Sequence, residues 1–246
     1  MTDSGPREPS GPDAPAFWDA RYRTGGELWG ETPSELAAVA MERLATLGAA
    51  AADLTLLDLG CGYGRDDVVL WRALGLSVVG VDGAARAIEM ARAALPAGAR
   101  VEYRHADFGA AGFRLGPVVD GRPGPDRPTQ DRFDVVYCSN VYHLLEPASR
   151  GALRAAMRRS LAPGGLVFVS TLSVRDPEHA GKGRPVPGEP GSFVTHAYLH
   201  LSDRGELAAD FDWLEVERLD EIAYLEGRPH GAPHRHVSWV LVGRAP

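Results

Sequence analysis

Apolar residues recur along the chain with two spacings. Short runs of strand length stand at Leu54 to Leu59, Ser77 to Val81, Arg100 to Arg104, Phe133 to Cys138 and Leu166 to Thr171. The run Phe133 to Cys138 is nearly all apolar, as a strand buried on both faces should be. Between and after these runs, Arg65 to Leu74, Ala84 to Leu95 and Ser149 to Leu161 have helical length and spacing. Pro163-Gly164-Gly165 stops the last of them. Ahead of the first strand, Leu36, Val39, Ala40, Leu44 and Leu47 repeat near a period of 3.6, which predicts a helix over Pro33 to Leu47. Thr32 is placed to cap it, Pro33 suits its first position and Glu35 its positive end.

Strands separated by helices of this length make right-handed βαβ units and a parallel sheet. The last third differs. Ser202 to Phe211 reads as a helix capped by Ser202, and Trp213 to Leu219 and His236 to Gly243 read as strands that pair antiparallel. The expected fold is therefore α/β, a Rossmann-like doubly wound, mostly parallel sheet with an antiparallel C-terminal strand pair. Residues 1–15, rich in Gly, Pro, Ser and acid, read as a disordered tail. Residues 16–246 then form one domain. Within it, 16–48 supply an N-terminal lid and helix, with Phe17 to Tyr22 as a short docking helix. Residues 49–171 supply a cofactor-binding core, and 172–246 a substrate-side insert and the C-terminal strands. Two Gly/Pro-rich inserts, Gly109 to Asp131 and Ser173 to Ser192, are long enough to be functional.

Composition narrows the partners. The 246 residues carry 26 basic and 33 acidic side chains, a net charge of −7. That balance disfavours nucleic acid as the main partner. No apolar run approaches the roughly 20 residues of a membrane helix, and the first residues lack the order of a secretory signal. Two cysteines, Cys61 and Cys138, do not make a disulfide scaffold, so a cytoplasmic protein is expected. The expected partner is a small molecule; the oligomeric state cannot be read.

The most informative segment is Asp58-Leu59-Gly60-Cys61-Gly62-Tyr63-Gly64, a strand running into Gly-x-Gly-x-Gly and then a helix. Glycines there allow a sharp turn and let a ligand lie against bare peptide. The spacing is not the dinucleotide signature Gly-x-Gly-x-x-Gly, whose third glycine would fall on Arg65 or Asp67. Asp58 would repel a pyrophosphate but suits an ammonium group. Asp82 ends the second strand, where an acid accepts bonds from ribose hydroxyls. Asp107 follows the third, where a carboxylate accepts from an exocyclic adenine amine with Phe108 beside the ring. A cationic nucleoside with an amino-acid tail fits these acids better than a dinucleotide.

The ordered set Asp58 to Gly64, Asp82, Asp107, Phe133-Asp134-Val135-Val136 and Leu161-Ala162-Pro163-Gly164-Gly165 resembles the class I S-adenosylmethionine-dependent methyltransferases, over about residues 33 to 171. The resemblance implies that Gly60, Cys61, Gly62 and Gly64 hold the methionine part of S-adenosylmethionine, Asp82 and Gly83 the ribose, Asp107 and Phe108 the adenine. It implies that Cys138 and Ser139 line the cofactor floor. Trp18, Arg21, Tyr22, Trp29-Gly30 and Pro33-Ser34 resemble the lid of small-molecule methyltransferases of the tellurite-resistance and thiopurine type, which puts Tyr22 and Trp29 at the cofactor.

Of eight histidines, His143 stands just beyond the fourth strand, where this family faces the transferable methyl. A neutral imidazole there orients an acceptor or takes its proton. His196, His234 and His236 are candidates for the acceptor pocket. His230, His234 and His236 cluster in sequence, but no cysteine or carboxylate nearby supports a metal, and none is expected. The function expected is methyl transfer from S-adenosylmethionine to a small molecule. A non-catalytic S-adenosylmethionine-binding protein and a nicotinamide-dependent oxidoreductase are the alternatives, the second disfavoured by the glycine spacing.

Overall fold

The computed structural model describes residues 14–110, 112–115, 132–227 and 232–246. Its helices are α1 (Ala14–Gly25), α2 (Glu35–Ala45), α3 (Arg65–Leu74), α4 (Ala85–Ala93), α5 (Pro147–Ser160) and α6 (Arg204–Asp210). Its strands are β1 (Thr55–Leu59), β2 (Ser77–Asp82), β3 (Val101–His105), β4 (Phe133–Ser139), β5 (Leu161–Leu172), β6 (Arg184–Pro185), β7 (Ser192–Val194), β8 (Tyr198–His200), β9 (Glu215–Glu226) and β10 (His234–Arg244). Seven of them form one sheet in the order β3-β2-β1-β4-β5-β10-β9. The pairings from β3 to β5 are parallel, and β10 runs antiparallel to both β5 and β9. This is the expected doubly wound sheet with its antiparallel pair.

Strand alternation divides the core into two layers. Leu56, Val78, Val135, Tyr137 and Phe168 point to one face, where Leu36, Ala40 and Leu44 of α2, Leu70 of α3 and Ile88 of α4 cover them. Leu57, Val79, Val136, Cys138 and Val167 point to the other, under Leu153 and Met157 of α5, Leu207 of α6 and Phe211. Both faces of β1 and β4 are therefore dry, and the strands' carboxyl ends form the open edge on which a site can be built.

Local caps differ from the sequence reading. Ser34, not Thr32, caps α2; its backbone is extended and its Oγ accepts from Ala37 N at 3.3 Å. Asp203, not Ser202, caps α6, accepting from Glu206 N at 2.9 Å. Ser202 is instead buried, with its backbone bonded to Leu172 and Val174. Helix α1 starts at Ala14, within the stretch expected to be a tail, with Pro15 in its first turn, where no donor is needed. It docks because Asp19 Oδ1 accepts from Arg86 N at 2.6 Å, giving α4 a cap from another helix; its own N-cap, Ala84, offers none. The expected loop Ser173 to Ser192 holds β6 and leads into a small antiparallel sheet, β6-β7-β8, whose last strand packs on the turn Tyr142–Leu144. Of the other insert, residues 111 and 116–131 lie outside the described residues, as do residues 1–13 and His230.

Candidate active site

The turn after β1 is held open by glycine and by hydrogen bonds to β2. Gly60 has φ +92°, and a Cβ there would lie 2.3 Å from Val141 Cγ2. Gly62 has φ +55°, and a Cβ there would lie 2.9 Å from Tyr22 Oη. Both positions thus demand a residue without a side chain. Gly60 N and Cys61 N donate to Val81 O at 2.8 and 3.1 Å. Gly62 N donates to Asp82 Oδ2 at 2.9 Å, and Ala84 N to its Oδ1 at 2.8 Å. Burial raises the Asp82 pKa, against the pull of these two amides.

Three acids crowd beneath the turn, in two different states of satisfaction. Asp66 accepts from Ser34 N at 2.7 Å, Ser34 Oγ at 2.5 Å and Tyr137 Oη at 2.8 Å. Asp58 Oδ1 and both oxygens of Asp67 are buried without a donor. A proton shared between Asp58 and Asp67 meets that need. Burial and the neighbouring carboxylates push the Asp58 carboxyl well up, and burial pushes Asp67 up to about 7.

The N-terminal segment is tied to this turn. Tyr63 Oη donates to Gly30 O at 2.6 Å and accepts from Trp29 N at 3.1 Å. Arg65 Nη1 donates to Trp29 O and Thr32 O, both at 3.0 Å. Tyr22 meets the Tyr63 ring edge-on at 6.1 Å, and Trp18 leans on Trp29 at 6.4 Å. The glycine turn therefore sets the position of its own lid. Tyr63 and Arg65 are residues that sequence reasoning missed; their signal was an aromatic and a cation inside the motif itself.

One cavity of about 900 Å³ runs from the turn to the C-terminal histidines. Tyr22, Trp29, Asp58, Gly60, Cys61, Gly62, Asp82, Gly83, Asp107, Phe108 and Ser139 line its first half. Asp107 Oδ1 accepts from Gly109 N at 2.9 Å, a local turn that leaves the carboxylate at the rim. Gly64 and Cys138 are not on the wall. Gly64 caps α3, and Cys138 is wholly buried in the layer under α5. Asn140 is on the wall and was not anticipated. It holds φ +56°, which asparagine tolerates better than most residues, with its N–H on Ser170 Oγ at 3.1 Å.

His143, His179, His196, Tyr224, Glu226 and His236 line the far half. His143 Nδ1 accepts from Leu172 N at 3.4 Å, which leaves its proton on Nε2. Burial, with His179 and His236 nearby, pushes its pKa down to about 3, so the ring is neutral. Burial opposes charge on His236 as well, but bonds to Asp176 and Glu226 outweigh it and raise the ring to about 9. His234 is not on the wall; its Nδ1 lies 3.9 Å from Glu178. His200 is buried on β8 with Ser192 and Glu206 as partners. His179 and Glu226 were not anticipated, because the first comes from an insert and the second from the tip of β9.

Cofactor-sized space, a glycine cradle that a Cβ would fill and an acid at the end of β2 together fit a nucleoside with an amino-acid tail. An antiparallel β10 between β5 and β9 departs from the strand order of dinucleotide-binding sheets. Known structures share the fold. A protein solved in work on conversion of a disulfide bond into a thioacetal group during echinomycin biosynthesis superposes with TM-score 0.66 at 22% identity, over 94% of this chain and 92% of that one. An S-adenosylmethionine-dependent methyltransferase from Anabaena variabilis gives 0.66 at 16% identity, over 94% and 93%. The 1,6-didemethyltoxoflavin-N1-methyltransferase of Burkholderia thailandensis gives 0.59 at 19% identity, over 94% and 86%. At these identities the likeness is one of fold. A search of curated proteins finds no match. The family model described as "Methyltransferase domain" matches residues 29–230, most of the chain, and the protein belongs to that family.

Proposed function

We propose that the protein transfers the methyl group of S-adenosylmethionine to a small-molecule acceptor held between His143 and the C-terminal strands. The observation that carries this reading is the single cavity joining the Gly60–Gly62 turn, Asp82 and Asp107 to His143, His196 and His236. When bound, S-adenosylmethionine supplies a methyl already activated by its sulfonium. The protein's work is then alignment, which lowers barriers by up to about 7–11 kcal/mol.

Each residue has a distinct part. The bare peptide of the turn and the lid residues Tyr22 and Trp29 hold the amino-acid tail. Asp82 accepts from ribose hydroxyls, and Asp107 with Phe108 holds the adenine. His143 carries its proton on Nε2 and is neutral, so it donates a hydrogen bond to the acceptor and orients it; the geometry argues against its taking a proton. The small sheet β6-β7-β8 excludes water from the far half and the lid from the first. The 1,6-didemethyltoxoflavin-N1-methyltransferase, which acts on a small molecule, supports that substrate class at the level of fold.

Calorimetric titration with S-adenosylhomocysteine tests the cofactor half, and a screen of phenols, amines and thiols for S-adenosylhomocysteine release tests turnover. Binding without release for any acceptor would favour the non-catalytic alternative. Absence of binding removes the reading altogether.

A further inference from the structure

The far wall of the cavity contains a cluster that methyl transfer does not require. Asp176 sits in the turn after β5, and its side chain is fully buried. Its Oδ1 accepts from the backbone N–H of Glu178 and of His179, both at 3.0 Å, and contacts His179 Nδ1 at 2.8 Å. Its Oδ2 accepts from Val237 N at 2.9 Å and contacts His236 Nδ1 at 3.0 Å. A buried carboxylate normally finds an arginine or lysine. Among the described residues, the ion-pair partners of Asp176 are two imidazoles instead.

The two rings flank the carboxylate almost in parallel, 20° apart with centroids 5.5 Å from each other. The ligand-type atoms of Asp176, His179 and His236 lie within 4.8 Å of one another. For an ion bonded at about 2.1 Å to nitrogen and oxygen, neighbouring ligands at a right angle stand about 3.0 Å apart and opposed ones about 4.2 Å. His179 Nδ1 stands 2.8 Å from Oδ1 and His236 Nδ1 3.0 Å from Oδ2, so each imidazole nitrogen is held beside its own carboxylate oxygen near the first spacing. Backbone amides on the same carboxylate oxygens fix the ligand from behind, as outer partners do in metal sites. His179 and His236 both border the cavity, so one side of the cluster opens toward the acceptor space.

We infer that Asp176, His179 and His236 form a binding site for one divalent transition ion of the zinc, cobalt or nickel type, at the acceptor end of the cavity. Two imidazoles and one carboxylate suit such ions and are poor in the oxygen ligands that magnesium or calcium needs. On binding, the imidazole Nδ1 atoms must give up their protons, either to Nε2 of the same ring or to solvent. The open side of the ion would then take an oxygen, nitrogen or sulfur of the acceptor. The three ligands are 60 residues apart in sequence at their extremes, 176 to 236, so no local motif announces them. The sequence cluster His230, His234 and His236 contributes only its last member.

The test needs neither cofactor nor acceptor, so its outcome is independent of the methyl-transfer reading. Untagged protein is stripped with chelator and titrated with Co²⁺, following the visible d–d absorbance, and with Zn²⁺ by calorimetry. The expected result is one ion per chain, with affinity falling at least about tenfold in both His179→Ala and His236→Gln. Circular dichroism and the melting temperature of His179→Ala check that the fold persists; its ring is the most exposed of the three. Sub-stoichiometric binding, or binding that His179→Ala leaves unchanged, overturns the inference and leaves a hydrogen-bonded cluster alone.

Discussion

Gly62 N donates to Asp82 Oδ2 at 2.9 Å, so the acid at the end of β2 helps to shape the turn that ends β1. Under the proposed function Asp82 therefore has two tasks, holding ribose and holding the peptide on which the methionine part would lie. Asp82→Ala is expected to weaken S-adenosylhomocysteine binding at least about tenfold, or about 1.4 kcal/mol. It is also expected to lower the melting temperature, because Gly62 N and Ala84 N lose their acceptor at about 1–3 kcal/mol for each buried donor left unpaired. Asp82→Asn keeps one acceptor oxygen and should fall between. Calorimetry on the three proteins decides; an unchanged dissociation constant in the alanine variant takes Asp82 out of the site.

The Asp58–Asp67 pair makes stability depend on pH in a defined direction. Asp67 is raised from 3.8 to about 7 in the folded state, with burial as the first cause. A folded-state pKa above the unfolded one gives stability that is complete below about pH 4 and lost as pH rises through about 7. Each pH unit in that window removes up to about 1.4 kcal/mol. Asp67→Asn supplies a permanent donor to Asp58 and should flatten this loss. The variant is expected to melt several degrees above wild type at pH 8, at about 2–4 °C per kcal/mol, and close to it at pH 5. Equal gains at both values would show that no shared proton is involved.

Where neighbours in sequence are neighbours in space, the site was legible. The turn from Gly60 to Gly64 and the acids Asp82 and Asp107 each follow a strand, and strand order alone places them on one edge. The helix caps were not legible, because Thr32 and Ser34 are both suitable residues and only the distant carboxylate of Asp66 selects between them. The acceptor wall was hidden for the same reason. His179 reaches it through the Ser173 to Ser192 insert and His236 through β10, which pairs with β5 across more than 60 intervening residues. Cys138 shows the converse limit. The family resemblance put it on the cofactor floor, yet one-residue alternation along β4 turns it into the layer beneath α5 while Ser139 faces the cavity.

Ser34 joins the helix cap to the turn acids and should be costly to lose. Its Oγ caps α2 and donates to Asp66, and it accepts from Ser139 Oγ at 3.0 Å. Ser34→Ala removes a cap worth about 1 kcal/mol and one of the donors to a buried carboxylate, about 1–3 kcal/mol more. Urea denaturation should show a lower midpoint with an unchanged slope. Ser34→Thr, which keeps the hydroxyl, should recover most of the loss. A serine role confined to packing would leave alanine as stable as threonine.

His143 offers a test that separates orientation from proton abstraction. Its pKa is lowered from 6.5 to about 3 by burial first and by His179 and His236 after it. A histidine depressed in the folded state gives stability that is complete above the unfolded pKa of 6.5 and drains as pH falls toward about 3. Between pH 6.5 and 5 the loss is up to about 2 kcal/mol. His143→Gln cannot be protonated in this range, so its urea midpoint should change less than that of wild type between pH 7 and 5. Glutamine also keeps a donor where Nε2–H stood. If His143 orients the acceptor, His143→Gln retains much of the turnover that His143→Ala loses, and both bind S-adenosylhomocysteine like wild type. If His143 instead takes the acceptor's proton, glutamine and alanine fail alike, and the typical general-base contribution of about 10²–10⁴-fold disappears in both.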